Sequence, residues 1–278
     1  MPELPEVETI RRSLLPLIQG REIINIEILH PDILINHDQR PLHGWEITGL
    51  RRRGKYLLID LVQASDPAEG ALLMVHLRMT GKLLYRTEEI EPTKHTHLRF
   101  SLKGENIAWL DFEDVRRFGR VWLLPAFGEL ENPGLASLGP EPLSAEWSLE
   151  SFRDILQRRR TSIKAVLLDQ TVVAGIGNIY CDEALFRAGI SPDRPSNSLS
   201  TEETARLQEA VRYVIKEGIG HRGTSFRDYV DGLGGKGHFQ QHLQVYRRNG
   251  QKCTVCGETI VKRKIAGRGT HICPQCQK

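Results

Sequence analysis

Short apolar stretches with partial two-residue alternation run through residues 21 to 124. Alternation of this kind is typical of strands that bury one face. The stretches recur at roughly ten- to twenty-residue spacing with Gly, Pro or charged breaks, which predicts an antiparallel sandwich or barrel. They are REIINIEIL, KYLLIDL, ALLMVHLRM, THLRFSL, NIAWLDF and RVWLLP. The preceding PEVETIRRSLLPLI has helical spacing and predicts a helix that leads into this sheet.

The pattern changes between Phe127 and Trp147, where ENPGLASLGPEPLSAEW gathers Pro and Gly and predicts a domain linker. Helical spacing follows in SLESFRDILQ, TSIKAVLLD, NIYCDEALFRAG and TEETARLQEAVRYVIKEG, which predicts a helical second domain. Ser200 and Glu203 form a capping-box pattern at the start of the last helix. The next stretch, HRGTSFRDYVDGLGGKGHF, holds five glycines between Gly223 and Gly237 and predicts a mobile loop.

Composition and charge narrow the class of protein. The chain has 278 residues, 40% of them hydrophobic, which favours a globular protein of about two domains. No apolar run approaches the roughly 18 residues of a membrane span, and no secretory signal begins the chain, so we expect a cytoplasmic protein. Residues 241 to 278 carry a charge of +7 against −4 for the rest. This asymmetry favours a polyanionic partner such as nucleic acid.

Four of the five cysteines crowd into the C-terminal segment with the spacing C-x2-C-x16-C-x2-C. A two-residue gap lets a tight turn direct both sulfurs at one tetrahedral metal, and four thiolates close its coordination shell. The spacing therefore predicts one structural Zn2+ in a ribbon, with Arg268 near its tip. Arg268 and the KRK run form either a solvated charged face or a phosphate-binding surface, and we favour the second. The predicted ligands are Cys253, Cys256, Cys273 and Cys276.

The remaining cysteine and the N-terminus carry different chemistry. Cys181 is interpreted as an ordinary buried small residue. Pro2 follows a methionine that is normally removed, which gives the mature chain a secondary amine beside Glu3. An α-amine with a pKa of ~7.8 is roughly 10 to 15% neutral at pH 7, against about 0.04% for lysine. It is therefore a suitable nucleophile for a sugar C1′, although Pro2 alone favours the interpretation as a stiff, inert terminus.

Five motifs occur together: MPELPEVE at the start, HLRMTG at 76–81, DVRRFG at 114–119, GIGNIY at 175–180 and the four-cysteine ribbon. With them the chain resembles bacterial formamidopyrimidine-DNA glycosylases. The resemblance implies an α+β, multidomain fold. Its parts are an N-terminal antiparallel β-sandwich with flanking helices (1–131), a helix-two-turn-helix domain (132–240) with a Gly-rich lesion-recognition loop (221–239), and a zinc ribbon (241–278).

The resemblance also implies a bifunctional glycosylase and AP lyase of base excision repair. It implies removal of 8-oxoguanine and formamidopyrimidines from duplex DNA, followed by β,δ-elimination. Pro2 would be the Schiff-base nucleophile, Glu3 the catalytic acid, Lys55 a proton donor, and Arg268 a phosphate ligand linked to δ-elimination. From the residues alone, Lys55 would be an ordinary strand lysine. The partner is double-stranded DNA, and we expect a monomer, associated with the bacterial nucleoid through DNA.

Further residues match DNA contacts of that family. His95, Arg159 and Asn178 match contacts with the DNA backbone, whereas Arg159 alone is one member of a charged run. Met79, Arg116 and Phe118 match a wedge that fills the gap left by an extruded base. The local pattern by itself favours core packing for Met79 and Phe118, because both follow strand-like runs.

One departure and two alternatives remain. In YRRNG, Arg247 stands where the family more often has Gly. This arginine adds a cation near the ribbon. An endonuclease VIII-type pyrimidine glycosylase shares the N-terminal proline, but PELPEVE and the long Gly-rich loop favour the purine enzyme. A non-catalytic zinc-ribbon DNA-binding protein would explain the basic tail but not the combination of Pro2, Glu3 and Lys55.

Overall fold

Two units make up the part of the chain that the computed structural model describes, residues 1–126, 128 and 132–278 without the side chain of residue 67. The first comprises Met1–Ala136 and His221–His238, and the second Ser137–Gly220 and Phe239–Lys278. The Gly-rich segment 221–238 thus groups with the N-terminal residues. The predicted boundary at residue 131 lies outside the described residues, and the division into three domains stays a prediction.

The first unit begins with helix α1, Leu4–Ile18. The Glu3 backbone N–H at its N-cap donates to the Glu6 carboxylate at 2.8 Å, which satisfies a backbone donor that helix geometry leaves unpaired. Apolar side chains at helical spacing, including Val7, Ile10 and Leu14, are buried in the core. The predicted leading helix is confirmed.

Nine strands of the described chain form one sheet in the order β2-β9-β5-β4-β3-β1-β7-β8-β6. Neighbours are antiparallel except β2 and β9. Strand β1 pairs briefly with β3 and along its length with β7, so it joins the two layers of the predicted β-sandwich. The strands are β1 Glu22–Ile28, β2 Leu34–Ile35, β3 Trp45–Arg53, β4 Tyr56–Gln63, β5 Asp66–His76, β6 Gly81–Arg86, β7 Thr96–Lys103, β8 Ala108–Asp114 and β9 Arg120–Pro125.

All six predicted strands are confirmed, while β2, β3 and β6 were missed. Strand β3 ends in three arginines and its pairing with β4 shifts register between Ile47 and Gly49, so its alternation is broken. Strand β2 has only two residues, and the two leucines of β6 are adjacent in GKLLYR, so neither strand shows a period of two.

The second unit contains the predicted helices. Its four helices are α3 Leu149–Gln157, α4 Ile163–Leu168, α5 Asn178–Ala188 and α6 Thr201–Gly220. The short helix that precedes them, α2 Pro133–Ala136, belongs to the first unit. The Ser200–Glu203 capping box is confirmed: the Glu203 N–H donates to Ser200 Oγ, and the Ser200 N–H donates to the Glu203 carboxylate. The predicted ribbon strands are β10 Val261–Ile265 and β11 Arg268–Ile272.

A buried ion pair joins this ribbon to the helices. The Lys164 ammonium and the Asp182 carboxylate are both fully buried, 2.5 Å apart, and Lys164 also donates to Thr270 on β11 at 2.7 Å. Asp182 accepts the His271 backbone N–H at 2.9 Å. Because each buried charge has partners, the group is satisfied in a place where an unpaired charge would be costly. It fixes β11, and hence the ribbon tip, against α4 and α5.

Arg247, the departure noted in the sequence, lies in the turn 245–248 that leads into the ribbon. The Arg248 N–H donates to the Val245 carbonyl at 3.0 Å, and Arg247 has a φ of 60°. The third residue of such a turn favours glycine, which adopts positive φ without strain. This conformation explains why glycine suits the position.

We therefore expect Arg247→Gly to leave the fold intact and to raise the free energy of unfolding by up to about 1 kcal/mol, since left-handed strain costs a non-glycine residue roughly that much. Urea denaturation of both proteins measures the change. Gln39→Gly, at a φ of 50° and an exposed position in the first unit, tests the same relief of strain elsewhere. Marked destabilisation by Arg247→Gly would show that the arginine side chain contributes more than its backbone conformation costs.

Candidate active site and zinc centre

The candidate reactive residues Pro2 and Glu3 are buried at the N-terminus of α1, where the helix dipole favours a carboxylate. Glu6, one turn along, is also buried and accepts two backbone N–H groups. One comes from Glu3 at 2.8 Å and the other from Thr224 at 2.7 Å. Thr224, on the Gly-rich segment, is therefore fixed against the start of the helix.

The Gly-rich segment 221–238 is held by its own hydrogen bonds and by close contacts. Gly223 has a φ of 77°, and a Cβ there would lie 2.8 Å from the Glu6 side chain. The Gly237 N–H donates to Ser225 Oγ at 2.9 Å, and the buried Asp231 carboxylate accepts the Gly235 N–H at 2.8 Å. The glycines thus permit close approach to α1. The predicted mobility of this loop stays a prediction.

Lys55 lies in the turn between β3 and β4 and is only 8% exposed. Its interpretation as an ordinary strand lysine was wrong, because the chain reverses there and encloses the side chain. Arg52, near the end of β3, forms an ion pair with Glu8 of α1 at 3.1 Å. This ion pair holds the strand that leads into the turn against the helix.

His76, at the end of β5, is a buried neighbour that sequence reasoning missed. Burial, with the charges of Arg78 and Lys55, lowers the pKa of His76 to about 3. Its Nδ1 accepts the Arg78 backbone N–H at 3.0 Å. The ring is therefore neutral at pH 7 and does not add a positive charge next to Lys55.

Met79, Arg116 and Phe118 meet at the surface of the first unit. Met79 is 42% exposed and Phe118 49% exposed, so the interpretation as core residues was wrong. Both lie in loops beyond the strand ends rather than inside strands. Arg116 donates to Met79 Sδ at 3.0 Å, and its guanidinium lies 4.5 Å from the centre of the Phe118 ring. Exposed apolar side chains grouped around a cation are typical of an interaction surface.

The other predicted DNA contacts are distributed over both units. His95 is half-buried in the turn before β7 of the first unit. In the second unit, Asn178 begins α5 and its amide donates to the Gly269 carbonyl at 2.9 Å, next to Arg268. Arg159 pairs with Asp169 at 2.6 Å, so its charge is already partly compensated. The structure thus brings Asn178 and Arg268 together.

Arg268 is exposed at the ribbon tip, as the sequence predicted. The two-residue turn between β10 and β11 places Ala266 at a φ of 50° and Gly267 at 71°, the conformation of a type I′ hairpin. The adjacent strand β10 carries three more exposed cations, Lys262, Arg263 and Lys264. Together with Arg268, the hairpin therefore presents four cations to solvent.

The four predicted zinc ligands converge. Their sulfurs all lie within 4.8 Å of one another, with Cys253 and Cys276 3.9 Å apart and Cys256 and Cys273 3.4 Å apart. Four sulfurs at the usual Zn–S distance around one ion would be separated by about 3.8 Å, so this set fits tetrahedral Zn2+. Cys181 is fully buried in α5, outside this cluster, as interpreted from the sequence.

Comparison with known families assigns the chain. Three family descriptions match it: "Formamidopyrimidine-DNA glycosylase N-terminal domain" over residues 1–121, "Formamidopyrimidine-DNA glycosylase H2TH domain" over 138–229 and "Zinc finger found in FPG and IleRS" over 250–278. The chain belongs to the formamidopyrimidine-DNA glycosylase family. The resemblance stated from five motifs is confirmed, and so are the fold class and the single structural zinc.

Relatives named formamidopyrimidine-DNA glycosylase are similar over nearly the whole length. That of Moorella thermoacetica is 50% identical over 94% of this chain and 93% of its own, and that of Heliobacterium modesticaldum is 48% identical over 100% of both. The crystal structure of the Thermus thermophilus MutM (Fpg) protein has a TM-score of 0.87 at 42% identity, covering 99% of this chain and 98% of its own.

Members of the formamidopyrimidine-DNA glycosylase family are DNA glycosylases with AP lyase activity, so this chain is an enzyme of base excision repair that acts on DNA. Within the described residues, no helix has the length and apolar character needed to span a membrane. Residues that the motifs did not single out for a role also shape the site. Glu6 lies in the N-terminal motif MPELPEVE, Asp114 in DVRRFG and Asp231 in the Gly-rich stretch, and none of these sequences indicates that the acid is buried.

Proposed function

We propose that this member of the formamidopyrimidine-DNA glycosylase family excises oxidised purines, namely 8-oxoguanine and formamidopyrimidines, through a Schiff base on Pro2 and then cleaves the strand by β,δ-elimination. The observation that carries the proposal is the burial of Pro2 and Glu3 at the start of α1, beneath a Gly-rich segment fastened to Glu6. A Lactococcus lactis Fpg mutant solved with Fapy-dG DNA, with a TM-score of 0.90 and 38% identity over 100% of both chains, supports this substrate class.

The chemistry follows from the secondary amine that Met1 removal leaves on Pro2. Its nitrogen attacks C1′, the glycosidic bond breaks, and the base leaves with a proton. Glu3 donates a proton to the ring oxygen as the sugar opens, and an iminium forms. The positive iminium accepts electrons when the C2′ proton is removed, so the 3′ phosphate leaves first and the 5′ phosphate follows.

Lys55 is proposed to donate a proton during β-elimination. Its burial supports this role, because a side chain held in place transfers a proton more efficiently than a freely moving one. His76 stays neutral beside it, and therefore does not compete as an acid. Arg268, on the rigid hairpin turn, is proposed to bind the phosphates whose departure completes δ-elimination.

DNA binding is proposed to use surfaces on each unit. Met79, Arg116 and Phe118 would fill the gap left by the extruded base, offsetting the unstacking cost of a few kcal/mol. His95, Arg159 and Asn178 would contact the backbone. Since Arg159 is paired with Asp169, its phosphate contact would have to share the guanidinium with that carboxylate. We further propose a monomer that acts on the bacterial nucleoid in the cytoplasm.

A pyrimidine specificity is the second candidate, because the Lactococcus lactis enzyme has also been solved with DNA containing an oxidised pyrimidine. We expect the mature protein with borohydride to crosslink to a duplex with 8-oxoguanine opposite cytosine much faster than to one with thymine glycol opposite adenine. Single-turnover rates on the two duplexes measure this preference. Faster reaction with thymine glycol would replace the purine proposal by the endonuclease VIII-type activity, and no crosslink even to abasic DNA would leave a DNA-binding protein only.

A further inference from the structure

Two short loops carry the exposed group formed by Met79, Arg116 and Phe118. The Met79 loop (77–80) connects β5 to β6, and the Phe118 loop (115–119) connects β8 to β9. Each loop contains one non-glycine residue in the left-handed region, Arg78 at a φ of 53° and Arg117 at 57°. Such conformations persist only where surrounding contacts stabilise them.

Those contacts converge on Asp114, whose side chain is buried at the end of β8. One carboxylate oxygen, Oδ1, accepts the Thr80 hydroxyl at 2.5 Å and the Arg116 N–H at 3.0 Å. The other, Oδ2, accepts the Gly119 N–H at 2.7 Å. A single buried carboxylate therefore links the Met79 loop to both ends of the Phe118 loop.

The backbone of Asp114 extends this connection. Its N–H donates to the His95 carbonyl at 2.9 Å, and its carbonyl accepts the His97 Nε2–H at 2.7 Å. Gly119 packs tightly beside it, since a Cβ there would lie 2.6 Å from Phe112. Little room is left for the loop to move independently, and His95 is held by the same residue.

We propose that Asp114, through Thr80, is a positioning residue that presets the Met79–Arg116–Phe118 group for entry into lesion-containing duplex DNA. Hydrogen bonds to a buried carboxylate are stronger than neutral ones and fix side chains before DNA binds. The conformational entropy of the two loops is then lost during folding rather than during DNA binding. The inference rests on the wedge role proposed above for these three side chains.

Thr80→Val removes the hydroxyl that joins the loops while keeping the shape of the side chain. We expect it to lower the affinity for a duplex with a tetrahydrofuran abasic analogue by about tenfold relative to undamaged duplex, the usual scale for a lost charged hydrogen bond. Borohydride crosslinking to a single-stranded abasic oligonucleotide should be unchanged, because no opposite strand has to be held apart there. Thr80→Ser, which keeps the hydroxyl, should restore the wild-type ratio of affinities.

Thr48→Val is a matched control, since it removes a hydroxyl that donates to the Asp60 carbonyl at 3.2 Å between the neighbouring strands β3 and β4, outside these two loops. A Thr80→Val protein with the wild-type ratio of affinities would overturn the inference. A parallel loss in duplex binding and single-strand crosslinking would do so as well, because it would indicate general destabilisation. These readouts do not depend on which oxidised base is excised, so failure of the purine proposal in the wild-type protein is detected separately.

Discussion

A protein that retains residues ahead of Pro2 is expected to lose borohydride crosslinking to abasic DNA by at least about 300-fold. An acylated proline nitrogen is an amide and cannot attack C1′. The amines that remain are lysines, roughly 0.04% neutral at pH 7 against roughly 10 to 15% for an α-amine, and the α-amine of the new first residue, which is displaced from the position of the Pro2 nitrogen. Pro2→Gly supplies a primary amine at the same place. It should therefore weaken the crosslink without abolishing it. Single-turnover crosslinking rates measure both effects.

The matched control is Pro31→Gly, the same substitution at an exposed proline outside α1. It should crosslink at the wild-type rate. Duplex binding by the protein with the blocked terminus should be close to wild type, because the amine forms a bond and does not recognise DNA. Undiminished crosslinking with a verified N-terminal extension would contradict the terminal amine and favour a lysine nucleophile.

Loss of the zinc ion is expected to have the second large effect. Structural zinc contributes on the order of 10 kcal/mol to the folding of small ribbons. Cys273→Ser should therefore unfold the ribbon, displace Arg268 and lower duplex affinity by about 10- to 100-fold. The four ligands belong to the second unit, so the sandwich of the first should still melt cooperatively. Metal content, duplex affinity and a thermal melt measure the three effects.

Cys181→Ala provides the control because this cysteine is buried in α5, outside the four-sulfur cluster. It should keep one zinc per chain and bind duplex DNA normally, with a stability loss of about 1 kcal/mol from the missing sulfur. A Cys273→Ser protein that keeps its zinc and its duplex affinity would contradict the assignment of the four ligands.

The local sequence pattern determined much of the secondary structure and the zinc site of this protein. The period of apolar residues predicted α1, six strands, four helices of the second unit and the ribbon hairpin, because burial of one face imposes a period of two or 3.6 on the residues themselves. The cysteine spacing predicted the zinc site for a similar reason, since a two-residue gap is enough to place both sulfurs of a knuckle on one metal. The five motifs then identified the family.

Only the tertiary structure decided what lies at the strand ends. Met79 and Phe118 follow strand-like runs, yet they are exposed, because each lies in a loop after its strand has ended. Asp114 is one acid among many in the sequence, and its burial between two loops depends on the pairing of β6 with β8. Likewise, Thr224 meets Glu6 across more than 200 positions of the chain. Such contacts join residues far apart in sequence, and no local period records them.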